Sequence, residues 1–330
     1  MNLAAQPSSA TIGSARIRNE PLIYLIIDSW TCPQFRRAFL ANPRLDEDVA
    51  DLTRDMDRQS RRTVESIVDF VRCFVMEVPE PERHSLLAME PDLCPFILPE
   101  DWLYVSNYNK HTKLQREQFF PDLQPSDEFV LKTELILLLH GLAFVPGGKE
   151  SIKDKVVLDV GAFKGDSALC FSRLCQPKHI YSFEPIPYVH DTLVEIITKY
   201  NVPATPIRMA LGASPKTVQL KGSDKGWGQI DPQGEIEIQV VRMDDFVAER
   251  GITDVGLIKV DTEGYEREVL QGSVETIRRD RPILLMSIYH NAEQFLNMRK
   301  WVEEIRPDYR YMVRRTNPQA IIDETYLICY

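Results

Sequence analysis

The chain has 330 residues, of which 44% are hydrophobic and 27% charged. That is enough for two domains, or for one domain with a large extension, and it excludes a wholly disordered chain. The net charge of −10 offers no basic surplus for a nucleic-acid groove, so no nucleic-acid partner is expected. The cysteines (Cys32, Cys73, Cys94, Cys170, Cys175 and Cys329) form no CxxC or zinc spacing and read as reduced thiols of a cytoplasmic protein.

Residues 1–20 are small and polar, with no apolar run for a signal peptide, and are expected to form a disordered tail. The run "PLIYLII" at 21–27 is too short for a bilayer, which needs about 20 apolar residues. No other stretch qualifies, so no membrane partner is expected. Residues 21–150 read as a mainly helical N-terminal region and a candidate substrate lid. Within it, Leu45, Val49, Leu52 and Met56, then Val64, Ile67, Val71 and Phe74, repeat at helical spacing. This predicts helix over 45–77, with "RQSRR" at 58–62 as a break. Five prolines between 79 and 99 predict a linker or wrapping loop. Residues 101–125 show no period; Trp102, Tyr104 and Tyr108 could stack on a substrate or simply pack. A helix is expected over 126–144, capped by Ser126, with Asp127 and Glu128 at its positive end.

From Lys155 onward short apolar runs alternate with helical ones: "VVLDV", "IYSFE", "PIRMAL", "LIKVD" and "PILLMSIY". That alternation predicts a parallel sheet with crossover helices over 151–330. "KTVQLKG" and "EIEIQVV" fit an inserted hairpin. A helix over 292–304 and two strands, "YRYMVRR" and "ETYLICY", close the chain.

The first strand runs into "VVLDVGAFKGDSA". Asp159, Gly161 and Gly165 form acid-x-Gly-x-x-x-Gly before a helix, the place where doubly wound sheets bind ligands. Phe163 breaks the G-x-G-x-x-G dinucleotide fingerprint, which favours a nucleoside with an amino-acid tail over a pyrophosphate. Asp166 is expected to cap the helix. Glu184, at the end of the second strand, is spaced to accept hydrogen bonds from ribose hydroxyls. The fourth strand continues as "LIKVDTEGYEREVLQG", where Asp261 and Glu263 appear together and need compensation. Gly264 allows a tight turn into a helix whose first turn holds Glu266 and Glu268. Lys259 could pair with one of these acids, and as a plain surface ion pair it would matter little.

With these motifs, the chain resembles the FkbM family of S-adenosylmethionine-dependent methyltransferases, from about residue 155 to 330. The run at 258–272 is the most specific part, extended by "RPILLMSIYH" and "ETYLICY". The family's familiar form has glutamate where Ser287 stands; some bacterial members carry Ser-Ile-Tyr-His. The resemblance implies a Rossmann-like class I methyltransferase fold of α/β type, a seven-stranded mostly parallel sheet with an antiparallel last strand. It implies S-adenosyl-L-methionine as cofactor. Gly161, Ala162 and Gly165 would face its methionine part, Glu184 its ribose, and the region of Met209 and Ala210 its adenine.

The fourth strand of such a sheet ends beside the methyl group, so Asp261 would sit near a fixed positive charge. Three readings of Asp261 and Glu263 stay open: positioning of cofactor and acceptor hydroxyl, binding of magnesium or calcium, or capping and a salt bridge. No metal is assigned at this stage. His290, after the fifth strand, is the candidate general base, with Asp261 beside it. The expected activity is O-methylation of a small-molecule, sugar or natural-product hydroxyl. The alternatives are a non-catalytic methyltransferase-like binding module and a nicotinamide-dependent oxidoreductase. The sequence does not set the oligomeric state.

Overall fold

The computed structural model describes residues 23–28, 31–73, 84–89, 116–124, 127, 138–222, 228–317 and 320–330. The expected tail at 1–20 and the aromatic residues Trp102, Tyr104 and Tyr108 lie outside them, as does most of the helix expected over 126–144.

The first elements are β1 (Ile23–Asp28), α1 (Thr31–Ala41), α2 (Leu45–Thr53), α3 (Arg58–Cys73) and β2 (His84–Met89). The predicted helix over 45–77 is thus two helices. Its break falls at residues 54–57 rather than in "RQSRR", which begins α3. β2 corrects the wrapping-loop expectation. The prolines flank residues 82–90 and leave the stretch between free to pair, and it forms an antiparallel ladder with β1. The end of the expected helix at 126–144 is also corrected. Leu139–Phe144 is a tight 3-10 segment with His140 at φ +53° and Gly141 at φ +102°. A Cβ on Gly141 would lie 2.6 Å from the Ile328 side chain, so only glycine fits there.

The main sheet uses β3 (Val156–Val160), β4 (His179–Phe183), β5 (Ala204–Ile207), β10 (Val255–Val260), β11 (Ile283–Ser287), β12 (Tyr311–Arg315) and β13 (Thr325–Cys329). Their order is β12-β13-β11-β10-β3-β4-β5. The ladders from β11 through β10, β3 and β4 to β5 are parallel, and β13 runs antiparallel to both its neighbours. This is the expected Rossmann-like class I methyltransferase sheet. The run "PIRMAL" splits. Its first part is β5, and Ala210–Leu211 leaves as β6 to pair with β9 (Ile236–Val241). The expected hairpin of β7 (Lys216–Gly222) against β9 is present, with β8 (Gly228–Ile230) added at its edge.

Helices α4 (Asp166–Cys175), α5 (Pro187–Lys199), α6 (Met243–Glu249), α7 (Glu266–Gln271), α8 (Val274–Asp280) and α9 (Ala292–Ile305) follow their strands. Alternation along buried strands sends side chains to opposite faces. Leu158, Val160, Ile258 and Val260 share one core with Phe246, Phe295 and the α1–α3 residues Phe35, Phe39, Val64 and Ile67. Val157, Leu257 and Leu285 share the other with Leu169, Phe171, Leu193 and Ile196. The first helices are therefore built into the sheet's core. Phe35 meets Phe295 edge-on at 5.6 Å, and Ser60 Oγ accepts the Val313 N–H at 3.1 Å. Asp166 is the first residue of α4 rather than its cap, which is Gly165 at φ +91°, and its negative charge suits the helix start. Cys170, Cys175 and Cys329 are buried and unbridged. Among the described residues no helix is long and apolar enough to cross a membrane.

Candidate active site at the strand ends

The strand order reverses between β3 and β10, and ligands of open α/β sheets bind outside such a reversal. Asp159 sits there with no solvent exposure. It accepts a hydrogen bond from Ser167 Oγ at 2.6 Å and faces the Lys259 ammonium at 3.4 Å. Lys259 is opposite Asp159 in the ladder and donates to the Gly161 carbonyl at 2.6 Å. Burial opposes charge on this lysine, but Asp159, Asp261 and Asp166 outweigh it and raise its pKa above the ordinary value. The surface pairing considered for Lys259 is corrected: it is a buried pair across the switch point, where loss of one partner is costly.

The glycine loop is closed on itself. The N–H groups of Gly161 and Ala162 both donate to the Phe183 carbonyl, at 3.0 and 2.9 Å. The Phe163 N–H donates to Glu184 Oε2 at 3.1 Å, and the Ile186 N–H to Oε1 at 2.9 Å. Phe163 takes φ +46°, the conformation a glycine would adopt more cheaply. Gly161 is required at φ +76°, because a Cβ would overlap the Asp261 carbonyl oxygen. Gly165 packs tightly on Leu193 and Ile196 of α5. The amides of this loop turn inward, Gly165 donating to the Ala162 carbonyl at 2.9 Å. Glu184 is 5% exposed, and burial pushes its carboxyl up to about 8 despite the two N–H donors. Met209 is half-buried against the core, and Ala210 opens β6 beside Ile186 and Ile238.

The second cluster lies after β10 and β11. The strand does not persist to Glu263, which takes φ +55°, and Gly264 at φ +102° completes the turn. Asp261 accepts hydrogen bonds from Tyr289 Oη at 3.0 Å and Tyr326 Oη at 2.8 Å. Burial disfavours its charge, but Lys259 and His290 hold its pKa below the ordinary value. His290 Nε2 lies 3.5 Å from Asp261 and 3.9 Å from Glu263, and Nδ1 lies 2.9 Å from Glu266. Burial alone would depress the imidazole. Glu266, with Glu263 and Asp261, instead raises it to about 10. The candidate base is therefore held with its proton on at neutral pH.

Glu266 is the residue that sequence reasoning missed. It was assigned to the helix dipole, but it is fully buried and accepts from the N–H of Thr262 at 2.8 Å and from Ser287 Oγ at 3.1 Å. Tyr289 and Tyr326 were missed too. The available signal was the alternation of acids in "DTEGYE", which places more carboxylates at one strand end than a helix start needs.

A parallel sheet with an antiparallel strand next to one edge is the class I methyltransferase fold. Residues 159–311 match the Methyltransferase FkbM domain model. Over that stretch the chain is similar to the FkbM methyltransferases. It is 31% identical to the 31-O-demethyl-FK506 methyltransferase FkbM of Streptomyces tacrolimicus, over 42% of this chain and 65% of that protein. It is 28% identical to the hexuronic acid methyltransferase AglP of Haloferax volcanii, over 39% of this chain and 54% of that protein. The 2-O-methyltransferase NoeI of Sinorhizobium fredii is 25% identical, over 39% and 61%. The chain thus spans between about half and two thirds of these relatives. A crystal structure of methyltransferase FkbM from Methylobacillus flagellatus KT aligns with a TM-score of 0.44 at 19% identity, over 70% of this chain and 61% of that one.

Proposed function

We propose that this chain is an S-adenosylmethionine-dependent O-methyltransferase acting on a hydroxyl of a small molecule or sugar. The observation that carries the cofactor choice is the closed glycine loop. A pyrophosphate needs free backbone N–H groups at the loop and helix start. Here those of Gly161, Ala162 and Phe163 are all spent on Phe183 and Glu184. What the strand ends offer instead is carboxylate, which suits a cationic sulfonium and a ribose diol. When bound, S-adenosylmethionine supplies an electrophilic methyl group.

Glu184 would accept the ribose hydroxyls, with Met209 and Ala210 beside the base. Gly161, Ala162 and Gly165 would shape the floor under the methionine part. Asp159 holds Lys259 and, through it, the Gly161 carbonyl. Asp261 and His290 stand where the acceptor would meet the methyl group. Much of the acceleration would come from holding the two at attack distance. Asp261 would orient the acceptor hydroxyl, and His290, held charged by Glu266, would take the hydroxyl proton only after releasing its own to solvent. An oxygen acceptor follows the names of two relatives, a 31-O-demethyl-FK506 methyltransferase and a 2-O-methyltransferase. The cytoplasm is the proposed location.

Calorimetry with S-adenosylmethionine and, separately, NADH tests the reading. Binding of the first alone is expected. Binding of NADH alone would make the oxidoreductase the better account, and binding of neither the non-catalytic module.

A further inference from the structure

His290 presents its two nitrogens to different surroundings. Nδ1 meets Glu266 Oε1 at 2.9 Å. Nε2 has no hydrogen-bond partner, on a side chain 10% exposed. It points between Asp261 Oδ1 at 3.5 Å and Glu263 Oε2 at 3.9 Å. These separations are at or beyond the limit of a hydrogen bond. Each is a separation that two ligand atoms of one ion can have, about 3–4 Å when each is about 2.1 Å from it.

Glu266 has a different role. Its Oε1 already receives the N–H groups of Thr262 and Gly264, the Ser287 hydroxyl and the His290 ring. A buried carboxylate behind a metal-binding histidine fixes the ring's orientation and tautomer, leaving the other nitrogen's lone pair toward the metal. Asp261 is braced in the same way by the hydroxyls of Tyr289 and Tyr326. Charge points the same way. Lys259 offsets charge on Asp159 and Asp261, and His290 faces Glu263 and Glu266 beside Asp261.

We propose that Asp261, Glu263 and the Nε2 of His290 bind one divalent cation of the Mn²⁺ type, with Glu266 as the outer carboxylate that orients the imidazole. Two carboxylates and one imidazole suit an ion that accepts both hard oxygen and nitrogen. In the sequence a cation is one of three readings of Asp261 and Glu263; the turn after β11 adds His290 to the pair. An ion here would also receive an acceptor oxygen and favour loss of its proton. That consequence rests on the methyl-transfer reading; the binding site does not.

The test is titration of Mn²⁺ into the full chain, followed by electron paramagnetic resonance, with no cofactor or acceptor added. One Mn²⁺ per chain is expected. Glu266→Gln should weaken it about 10–100-fold. Glu263→Gln and His290→Asn should each weaken it at least about tenfold, the equivalent of about 1.4 kcal/mol. Thermal melts show whether the buried variants fold. Glu263 is 42% exposed, so its variant decides the matter if they do not. No stoichiometric binding, or binding unchanged in Glu263→Gln or in a folded His290→Asn, overturns the site. Calorimetry of the same samples with S-adenosylmethionine separates the two claims. Loss of cofactor binding in the native chain would defeat the methyl-transfer reading and leave the Mn²⁺ result standing.

Discussion

His290 Nδ1 and Glu266 Oε1 lie 2.9 Å apart, joining the turn after β11 to the first turn of α7. The acid is fully buried, and burial disfavours its charge. His290 and the Thr262 N–H offset that cost and hold its pKa below the ordinary value. The turn after β10 is wrapped around this carboxylate, since Thr262 and Gly264 both donate to it. One residue thus sets the shape of the loop that carries Asp261 and Glu263.

Glu266→Ala should therefore cost about 3–5 kcal/mol of stability, the range for stripping one partner from a buried charged pair. Two backbone N–H groups and the Ser287 hydroxyl would lose their acceptor together. Denaturant unfolding measures it. A loss below about 1 kcal/mol, the worth of a single ordinary hydrogen bond, would mean that the loop does not depend on Glu266.

The sheet was legible in the sequence because buried parallel strands write themselves as short apolar runs. "VVLDV" and "LIKVD" could hardly be anything else. The antiparallel β13 was legible through the resemblance and through "TYLIC". The site was half legible. Glu184 and Asp261 follow strand ends and Asp159 is the next-to-last residue of β3, places that periodicity locates. Glu266 was hidden because a glutamate in a first helical turn has a sufficient reason to be there already. Lys259 was misread because its partner Asp159 is adjacent only through the ladder. β2 was missed because prolines beside a strand look like prolines within it.

The Lys259–Asp159 pair makes a second test. Both side chains are buried, at 3% and 0% exposure, so either residue left alone is an uncompensated charge. Lys259→Met should destabilise by about 3–5 kcal/mol. The double variant Lys259→Met, Asp159→Asn should recover part of that loss, a coupling of about 0.5–3 kcal/mol in a double-mutant cycle. Simple additivity would show that the pair does not act as a unit.

His290 separates chemistry from cofactor binding. In the methyl-transfer reading it would serve the acceptor, while Glu184 would serve the cofactor. With any acceptor the native chain methylates, His290→Ala should lower kcat about 10²–10⁴-fold, whether its loss removes a base or an ion. Affinity for S-adenosylmethionine should stay near the native value. Near-normal turnover in the variant would take His290 out of the reaction and leave Asp261 as the group that handles the hydroxyl.

Glu184 gives the pH dependence. Burial raises its pKa from the usual 4.5 to about 8, while the N–H groups of Ile186 and Phe163 pull the other way. A carboxylate must be ionised to accept both ribose hydroxyls. Below about pH 8 the free protein must give up a proton to bind that way. Affinity for S-adenosylmethionine should therefore rise by up to about tenfold per pH unit toward 8 and level off above it. Stability of the free protein runs in the opposite sense. Between 4.5 and about 8 the folded chain holds a proton that the unfolded chain has lost, so this group's contribution falls as pH rises through that window. Glu184→Gln keeps the volume and removes the titration. It should flatten both profiles and weaken the cofactor about 10²-fold, since each lost charge-assisted hydrogen bond is worth about 1.5–3 kcal/mol. Calorimetry across pH 6 to 9, native against variant, measures this directly. A native affinity that does not change over that range, or a variant that binds as tightly as the native chain, would remove Glu184 from the ribose.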